Sequence, residues 1–229
     1  SSLLTTHYSL QTIGFPALAL LVSGGHTELA LVKGYGKYQI IGETLDDAAG
    51  EAFDKVARLL GLGYPGGPAL SALAESAKFK YLNIEISKKI KLPRPMIRSG
   101  NYNFSFSGLK TAVLYLVRDL EKKYSIKKFR PAIAKEFQDA AVDVLVAKTI
   151  RAAKEYKVKT ILLGGGVAAN KLLRKRLAQE ALEELPFAIC HLPFASLTGD
   201  NALMIALAAF LTGKKRAPTE VGADANLKL

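Results

Sequence analysis

The sequence has 229 residues, of which 49% are hydrophobic, so the chain can bury a core of its own and is not of disordered composition. Its formal net charge of +12 favours a polyanionic partner, with nucleic acid ahead of an anionic membrane, because no strongly basic amphipathic helix stands out. The single cysteine, Cys190, excludes an intrachain disulfide and fits a reducing compartment, and no apolar stretch reaches the length of a membrane span. We therefore expect a soluble cytoplasmic protein with no membrane partner, an organelle being the alternative compartment.

The chain is predicted to open with an antiparallel meander of three short strands. Residues 17–22, 28–32 and 38–42 are apolar or alternating segments, and the last two are joined by a glycine-containing turn. The first strand leads into the turn Ser23-Gly24-Gly25-His26. Glycines at such a turn let the backbone approach a ligand closely, so this is a candidate phosphate-binding turn.

A helix is predicted over residues 48–60, with capping side chains at residues 44–47 and a stop at Gly61. Three acidic residues on it, Asp47, Glu51 and Asp54, are spaced so that they share one face. Such a face is most often simply solvated, and the alternative is an acceptor for ribose hydroxyls held on a rigid element. A second glycine-rich turn follows at residues 61–68, and a short helix is predicted from residue 71 to 77.

Residues 78–98 are the most basic window of the chain, with seven lysines and arginines against one acid. This window is predicted to be either a surface insertion or a strip that contacts phosphates. Residues 103–111 alternate like a strand and then begin a long helix with Ser107 as its N-cap. No pattern of a nucleophile elbow surrounds Ser107, which argues against a serine hydrolase.

The second half of the chain contains a further strand that stops at three glycines, Gly164 to Gly166, and is followed by a helix over residues 171–184. A free helix N-terminus after glycines is suited to an anion. A helix over 131–156 precedes this strand, and a strand over 187–192 follows the second helix. Asp200 precedes an apolar helix over residues 202–212, where it either caps that helix or serves as a metal ligand.

Six segments resemble, in the same order, the motifs of one family, the tRNA threonylcarbamoyladenosine transferases (TsaD). They are residues 21–27 (LVSGGHT), 46–55 (DDAAGEAFDK), 64–68 (YPGGP), 104–111 (FSFSGLKT), 164–170 (GGGVAAN) and 198–201 (TGDN). The resemblance covers the chain from about residue 15 to its end, and six ordered motifs are far more specific than one glycine turn.

This resemblance implies an α/β fold of the ASKHA type, the architecture of actin, sugar kinases and Hsp70. Residues 16–229 would form mainly the C-terminal lobe, a mixed sheet flanked by helices with the basic insertion at about 78–98, and residues 1–15 would be a remnant of the N-terminal lobe or a linker. The implied activity is transfer of the threonylcarbamoyl group from threonylcarbamoyl-AMP to the N6 amine of the adenosine next to the anticodon in tRNA.

The resemblance also implies site residues, a cofactor and partners. The threonylcarbamoyl adenylate would be held by Leu21, Val22, Ser23, Gly24, Gly25, Asp54, Gly67 and Asn170. One divalent metal, iron with zinc as the alternative, would be bound by Asp200. The implied partners are tRNA, a paralogous ASKHA subunit, an associated ATPase and the synthase that makes threonylcarbamoyl-AMP. No catalytic residue is assigned.

The sequence departs from the family pattern in its histidines. The family carries an H-x-x-x-H metal-binding pair, whereas the three histidines here, His7, His26 and His191, are not spaced in that way. We therefore expect the chain by itself to bind adenine nucleotide weakly and to transfer little. The alternatives are a non-catalytic nucleotide-binding or scaffold lobe of the same complex and an ASKHA phosphotransferase.

Overall fold

The computed structural model describes residues 13–77, 90–199 and 201–212, which form an α/β fold. The strands are β1 (Ala17–Val22), β2 (Thr27–Gly34), β3 (Lys37–Glu43), β4 (Thr160–Gly164) and β5 (Ile189–His191). The α-helices are α1 (Ala49–Leu59), α2 (Gly66–Glu75), α3 (Ser107–Glu121), α4 (Arg130–Glu155), α5 (Lys171–Glu184) and α6 (Ala202–Thr212). Short 3-10 turns lie at Ile126–Lys128, Gly166–Ala169 and Ala195–Leu197.

The five strands form one mixed sheet in the order β3-β2-β1-β4-β5. β1, β2 and β3 pair antiparallel, which confirms the predicted meander, while β1 pairs parallel with β4 and β4 parallel with β5. β1 is central and almost entirely buried, as expected for a strand covered on both faces. The parallel pairing brings the carboxyl ends of β1 and β4 to the same edge of the sheet.

Helix α4 is the centre of the helical packing. It has 26 residues, hence a length of about 39 Å, and it contacts α1, α2, α3, α5 and β1. Phe137 of α4 and Phe53 of α1 are both buried, and their rings meet edge to face with centroids 5.0 Å apart. This arrangement fixes the first turns of α4 beside α1 and α2.

The helix starts differ from the prediction because their caps come from distant residues. Residues 44–47 do not cap α1; instead the Ala49 N–H donates to the buried Thr27 hydroxyl at 2.9 Å. The Asp46 carboxylate accepts from the N–H groups of Phe106 and Ser107 and from the hydroxyls of Ser105 and Ser107, so it anchors the start of α3. Burial raises the pKa of Asp46, but these hydrogen bonds outweigh burial and hold the pKa below its ordinary value.

Two predicted elements are wrong in extent. Helix α2 begins at Gly66 and not at residue 71, because Asp54 Oδ1 accepts from the N–H groups of Gly66 and Gly67 at 2.9 and 3.2 Å. The alternation around residue 104 does not form a strand. Phe104 makes only an isolated bridge with Thr44, and its side chain is fully buried.

Residues 90–104 pack against α4. The Arg94 guanidinium donates to Asp143 at 3.0 Å and also pairs with Glu136, both on α4. Arg94 is therefore committed to holding this segment in place and is not free for a phosphate. Residues 78–89, which carry most of the basic window, lie outside the described residues.

Lys148 of α4 is buried completely beneath the same segment. Its ammonium group donates to the Ser99 hydroxyl at 2.8 Å and to the Asn101 carbonyl at 3.1 Å. Burial lowers the pKa of Lys148 to about 8, and the neighbouring positive charge of Arg151 lowers the pKa further in the same direction. The folded protein thus releases this proton more easily than the unfolded chain does.

We expect the folded protein to become more stable, relative to a Lys148→Met variant, as the pH rises from about 8 to about 10. In that range the unfolded lysine keeps its proton while the folded one has lost it, so unfolding takes up a proton and is disfavoured by base. The relative gain across this range is about 2 kcal/mol, from the difference between a pKa of 10.5 and one of about 8. Urea unfolding of both proteins at several pH values measures it, and equal pH slopes would contradict the burial of a charged Lys148.

The difference between the two proteins is the informative quantity, because other groups titrate in both. Burial and a hydrogen bond to Glu155 raise the pKa of Tyr102 to about 12, which lowers stability above pH 10 in wild type and variant alike. In the variant, Ser99 and Asn101 lose the ammonium donor, which lowers the free energy of unfolding by the same amount at every pH. This loss does not change how that free energy depends on pH.

Helix α6 matches its predicted bounds and is mostly apolar, yet its side chains over residues 202–210 are exposed. Leu203, Ile205 and Phe210 are 55%, 64% and 82% exposed. No helix in the described ranges combines the length and the apolarity needed to cross a membrane.

Candidate functional site

Two glycine turns lie side by side where β1 and β4 end. Leu21 of β1 is paired in register with Gly164 of β4, so the turns that follow these strands begin next to each other. Gly165 has φ +88° and ψ 163°, and a Cβ at this position would lie 2.3 Å from the Val22 carbonyl oxygen. Only glycine fits this contact, which holds the two turns together.

The start of α1 closes onto the first of these turns. The Gly50 N–H donates to the Ser23 carbonyl oxygen at 3.1 Å, and a Cβ on Gly50 would lie 2.5 Å from the same oxygen. The glycine in the Asp-Asp-Ala-Ala-Gly segment therefore has a packing role. It lets α1, which carries Asp54, approach the Ser23 turn.

A cavity of about 680 Å³ opens beside these turns. Four of the predicted substrate-binding residues line it: Gly24, Asp54, Gly67 and Asn170. The residues at the start of α2 and of α5 lie in its wall, so the positive ends of two helix dipoles are directed toward it. We call this cavity the main cleft.

The other four predicted residues, Leu21, Val22, Ser23 and Gly25, line a second cavity of about 580 Å³. Consecutive glycines form the wall between the two cavities: Gly24 and Gly166 line the main cleft, whereas Gly25 and Gly165 line the second one. The structure therefore divides the predicted residues into two groups on either side of the paired glycine turns.

Asp54 is the member of the acidic face that reaches the main cleft. Lys55 pairs with both Asp47 and Glu51, each at 2.7 Å; the Glu51 side chain is 44% exposed, whereas that of Asp47 is only 15% exposed. Asp54 instead uses Oδ1 as the acceptor for the first N–H groups of α2. Its second oxygen makes no hydrogen bond within the described ranges, so it is the atom available to accept from a ligand hydroxyl.

Asn170 connects three helices at the floor of the main cleft. Its Oδ1 accepts from the Leu173 N–H at 3.0 Å and caps α5, while its Nδ2 donates to Gln138 Oε1 on α4 at 2.9 Å and to Ser71 Oγ on α2 at 3.1 Å. Both hydrogens of Nδ2 are thus used within the protein, and Oδ1 keeps one lone pair. A ligand that bonds to Nδ2 must displace one of these two acceptors.

The Ser23 turn is stabilised by its own side chain. Ser23 Oγ accepts from the N–H groups of Gly25 and His26, at 3.2 and 3.0 Å. Those two amides are therefore already satisfied and do not point freely at an anion. What the turn offers instead is the Ser23 hydroxyl hydrogen, which can be donated, and room for a close approach at Gly24, where an added Cβ would meet nothing within 4 Å.

Several polar residues of the main cleft were not predicted. They are Ser71, Glu75, Lys135, Gln138, Asp139, Lys171 and Lys175. Lys135 pairs with Asp139 at 2.5 Å, and Lys171 with Glu75 at 3.4 Å, whereas Lys175 has no acidic partner within the described ranges. Of these residues, only Gln138 could have been found from the sequence, because it is a polar residue on the buried face of a predicted helix. Its amide is 6% exposed, and a buried amide needs a hydrogen-bond partner.

The other candidate residues contribute less. Cys190 is half-buried, and burial raises the pKa of its thiol to about 11, in agreement with a structural cysteine. Asp200 lies outside the described residues. In the remainder, no group of three His, Cys, Asp or Glu side chains is arranged to hold a metal. The described residues therefore do not by themselves form a metal site.

Fold and site together define a protein with a two-part cleft at the carboxyl edge of a mixed sheet. The cleft is built from glycine turns, helix N-termini and the available carboxylate oxygen of Asp54. Such a cleft suits a ligand with a phosphate and a sugar. The sequence model of the family described as "TsaD: tRNA N6-adenosine threonylcarbamoyltransferase" matches residues 2–207. The chain belongs to this family.

Curated relatives agree with this assignment. The tRNA N6-adenosine threonylcarbamoyltransferase of Bacillus subtilis is 49% identical over 90% of this chain and 56% of its own length. The proteins of the same name from Bordetella petrii and Thermosipho africanus are 53% and 48% identical, over 85% and 93% of this chain and 53% and 62% of their own lengths. The chain thus spans about half to three fifths of the length of these relatives.

A solved structure, the crystal structure of T. kodakarensis HypF, superposes on 80% of this chain and 21% of its own chain, with a TM-score of 0.49 and 22% identity. A similarity this low carries no argument about fold or function.

Proposed function

We propose that the protein transfers the threonylcarbamoyl group from threonylcarbamoyl-AMP to the N6 amine of the adenosine next to the anticodon in tRNA. The observation that carries this proposal is the main cleft, where Gly24, Asp54, Gly67 and Asn170 come together in a chain of this family. The curated relatives named above bear this activity in their names. The basic charge of the chain suits a tRNA substrate.

In this proposal the adenylate part of the substrate lies in the main cleft. The free oxygen of Asp54 accepts from a ribose hydroxyl, and the absence of side chains at Gly24 and Gly67 gives the ligand access to the backbone. The phosphate lies at the wall between the two cavities, near the Ser23 hydroxyl, and the threonylcarbamoyl group extends into the second cavity. The dipole of α5 and the Lys175 charge favour the anionic phosphate.

The chemical step exchanges one bond at the carbamoyl carbon. The N6 amine forms a bond to this carbon, the bond from the carbon to the phosphate oxygen breaks, AMP leaves with the electron pair, and the amine loses a proton. The mixed anhydride is already activated, so the protein has to position the amine and exclude water. Lys175 and the N-terminus of α5 stabilise the charge that develops on the leaving phosphate.

The fold and the partners follow as parts of the same proposal. The sheet order and the paired glycine turns support an ASKHA fold. Asp200 would be one ligand of a divalent metal, iron with zinc as the alternative, with its histidine ligands coming from elsewhere, since this sequence has no H-x-x-x-H pair. That metal would act as a Lewis acid. A paralogous ASKHA subunit, an associated ATPase and a cytoplasmic location are the remaining expectations.

A pair of glycine substitutions tests the main cleft. We expect Gly67→Ala to weaken AMP binding at least fivefold, roughly the loss of one hydrogen bond. A Cβ on Gly67 meets no protein atom within 4 Å and would occupy the cleft, and the residue lies in α2, where alanine is favourable. Gly63→Ala is the matched control, because its Cβ also meets nothing within 4 Å and Gly63 does not line the cleft. Calorimetric titration with AMP measures both.

The activity itself is tested with threonylcarbamoyl-AMP that carries a labelled threonine. Label is expected in unmodified tRNA, with one AMP released for each group transferred, when the protein is supplied with its partner subunits. Transfer of the γ-phosphate of ATP to a small acceptor would replace the proposal by a phosphotransferase. Absence of AMP binding together with unchanged tRNA binding would replace it by a scaffold lobe.

A further inference from the structure

A basic and aromatic corner lies just before two elements that line the main cleft, α2 and α4, in the order of the chain. It is formed where the turn after α1 meets the segment that joins α3 to α4. Gly61 has φ +67°, and a Cβ at this position would lie 3.1 Å from an Nη atom of Arg130, so the two segments are in contact. We call residues 58–64 and 121–130 together the Tyr64 corner.

The charge of the Tyr64 corner is strongly positive. Its only carboxylate is Glu121, and its six cationic residues are Arg58, Lys122, Lys123, Lys127, Lys128 and Arg130. Lys122 pairs with Asp119 at 2.8 Å, and both side chains are 72% exposed. Lys123, Lys127 and Lys128 are exposed and have no acidic partner in the part of the chain that the structure describes. Uncompensated cations that converge on one corner attract a polyanion.

Two exposed tyrosines lie among these cations. Tyr64 is 87% exposed and Tyr124 is 46% exposed. The Tyr124 ring contacts the buried Phe129 edge to face, with centroids 5.7 Å apart, so it is fixed at the surface. Cations interleaved with exposed aromatic rings are the combination that binds unpaired nucleic acid, since the rings stack on bases while the cations contact phosphates.

Both segments of the corner lead directly into elements that line the main cleft. Tyr64 lies two residues before Gly66, whose N–H is held by Asp54, and three before Gly67, which lines the cleft. On the other segment, Lys128 lies two residues before α4 begins, and Lys135 in the second turn of α4 lines the cleft. A nucleic acid held at the corner is therefore within reach of the cleft mouth.

We propose that the Tyr64 corner binds the RNA substrate, with Lys127 and Lys128 on its phosphates and Tyr64 stacked on an unpaired base beside the target adenosine. This inference rests on the proposed function and adds where the RNA lies. An RNA loop fits better than an anionic membrane, because the exposed aromatic residues here are tyrosines on separate turns and not an apolar helix face.

The test is fluorescence anisotropy with a labelled, unmodified anticodon stem–loop RNA and the 229-residue chain. We expect Lys127→Glu/Lys128→Glu to lower the RNA affinity at least tenfold and to reduce the slope of log K against log salt by about one to two. Tyr64→Ala should lower the affinity about five- to a hundredfold, and Tyr64→Phe should retain most of it, because the ring is kept.

The matched control is Lys157→Glu/Lys159→Glu. It makes the same change of charge at exposed lysines beyond the opposite end of α4, about 39 Å away along that helix. Wild-type affinity in this control, with loss in both corner variants, supports the proposal. Equal loss in the control, no loss in the corner variants, no RNA binding by the wild type, or stronger binding to anionic vesicles than to RNA overturns it.

AMP titration of the same variants separates this inference from the proposed function. Corner variants that bind AMP like the wild type but bind RNA weakly place the RNA at the corner. If no protein in the series binds AMP, the proposed function fails, whereas the comparison of RNA affinities still decides whether the corner binds RNA.

Discussion

Gly165→Ala is expected to destabilise the protein by about 3 kcal/mol or more, enough to leave much of it unfolded at moderate temperature. Its backbone, with φ +88° and ψ 163°, lies in a region essentially reserved for glycine, and the new Cβ would lie 2.3 Å from the Val22 carbonyl oxygen. Relief of this contact requires the ends of β1 and β4 to separate. Urea unfolding followed by circular dichroism measures the loss.

Gly166→Ala provides the control for this prediction one residue further along. Its φ is not in the positive region, and an added Cβ meets no protein atom within 4 Å. The stability of this variant should stay within about 0.5 kcal/mol of the wild type. If Gly165→Ala were as stable as Gly166→Ala, the close contact between the two turns would be disproved.

Asn170→Ala is expected to lower both the stability and the affinity for AMP. The substitution removes the cap of α5, worth about 1 kcal/mol, and leaves the nearly buried Gln138 side chain without its partner, at a cost of about 1–3 kcal/mol. Because the same amide lines the main cleft, we expect AMP affinity to fall about tenfold. Thermal unfolding and calorimetric titration measure the two effects.

Asn170→Asp separates the two roles of this residue. A carboxylate still accepts from the Leu173 N–H, so the cap of α5 is kept, but it cannot donate to Ser71 or Gln138 and it repels a phosphate. We expect this variant to be more stable than Asn170→Ala and no better at binding AMP. Wild-type AMP affinity in Asn170→Asp would show that the ligand does not approach this amide.

The sequence predicted those parts of the fold that local pattern determines. The bounds of β1, α5 and α6 are as expected, since each has a clear period and a local stop or start signal, such as the Asn170 cap before α5. Lys148 falls in the helical period of the apolar residues of α4 and is fully buried. A lysine among the apolar residues of one helix face indicates that a segment with polar acceptors packs against that face, as Ser99 and Asn101 do.

Local pattern could not predict which distant residue accepts hydrogen bonds from the first N–H groups of each helix. Asp46 was expected to cap α1 and instead anchors α3, about sixty residues later. Asp54 holds the start of α2, which therefore begins five residues earlier than its apolar period indicated. In both cases the partner is set by tertiary packing, which no local pattern contains.

For the site, the family motifs identified glycine turns and polar residues that the structure does bring together, with Gly24, Asp54, Gly67 and Asn170 around one cleft. They did not show that the predicted set divides between two cavities, nor that Ser23 satisfies the amides of its own turn. The division between the two cavities depends on the register of β1 against β4, whereas the bonds of the Ser23 turn are local ones that its glycines alone did not indicate. Register between strands so far apart in sequence cannot be read from either strand alone.

The pairing of β1 with β4 also bears on how the protein folds. Ala17 pairs with Thr160, so this pairing closes a loop of well over a hundred residues. The chain loses the conformational entropy of that loop before the contacts between β1 and β4 can stabilise it. The antiparallel hairpins can form early, whereas the two glycine turns meet only when the sheet is complete. The cleft therefore exists in the fully folded chain alone. Any ligand of this cleft selects that state and raises the free energy of unfolding in proportion to the logarithm of its concentration.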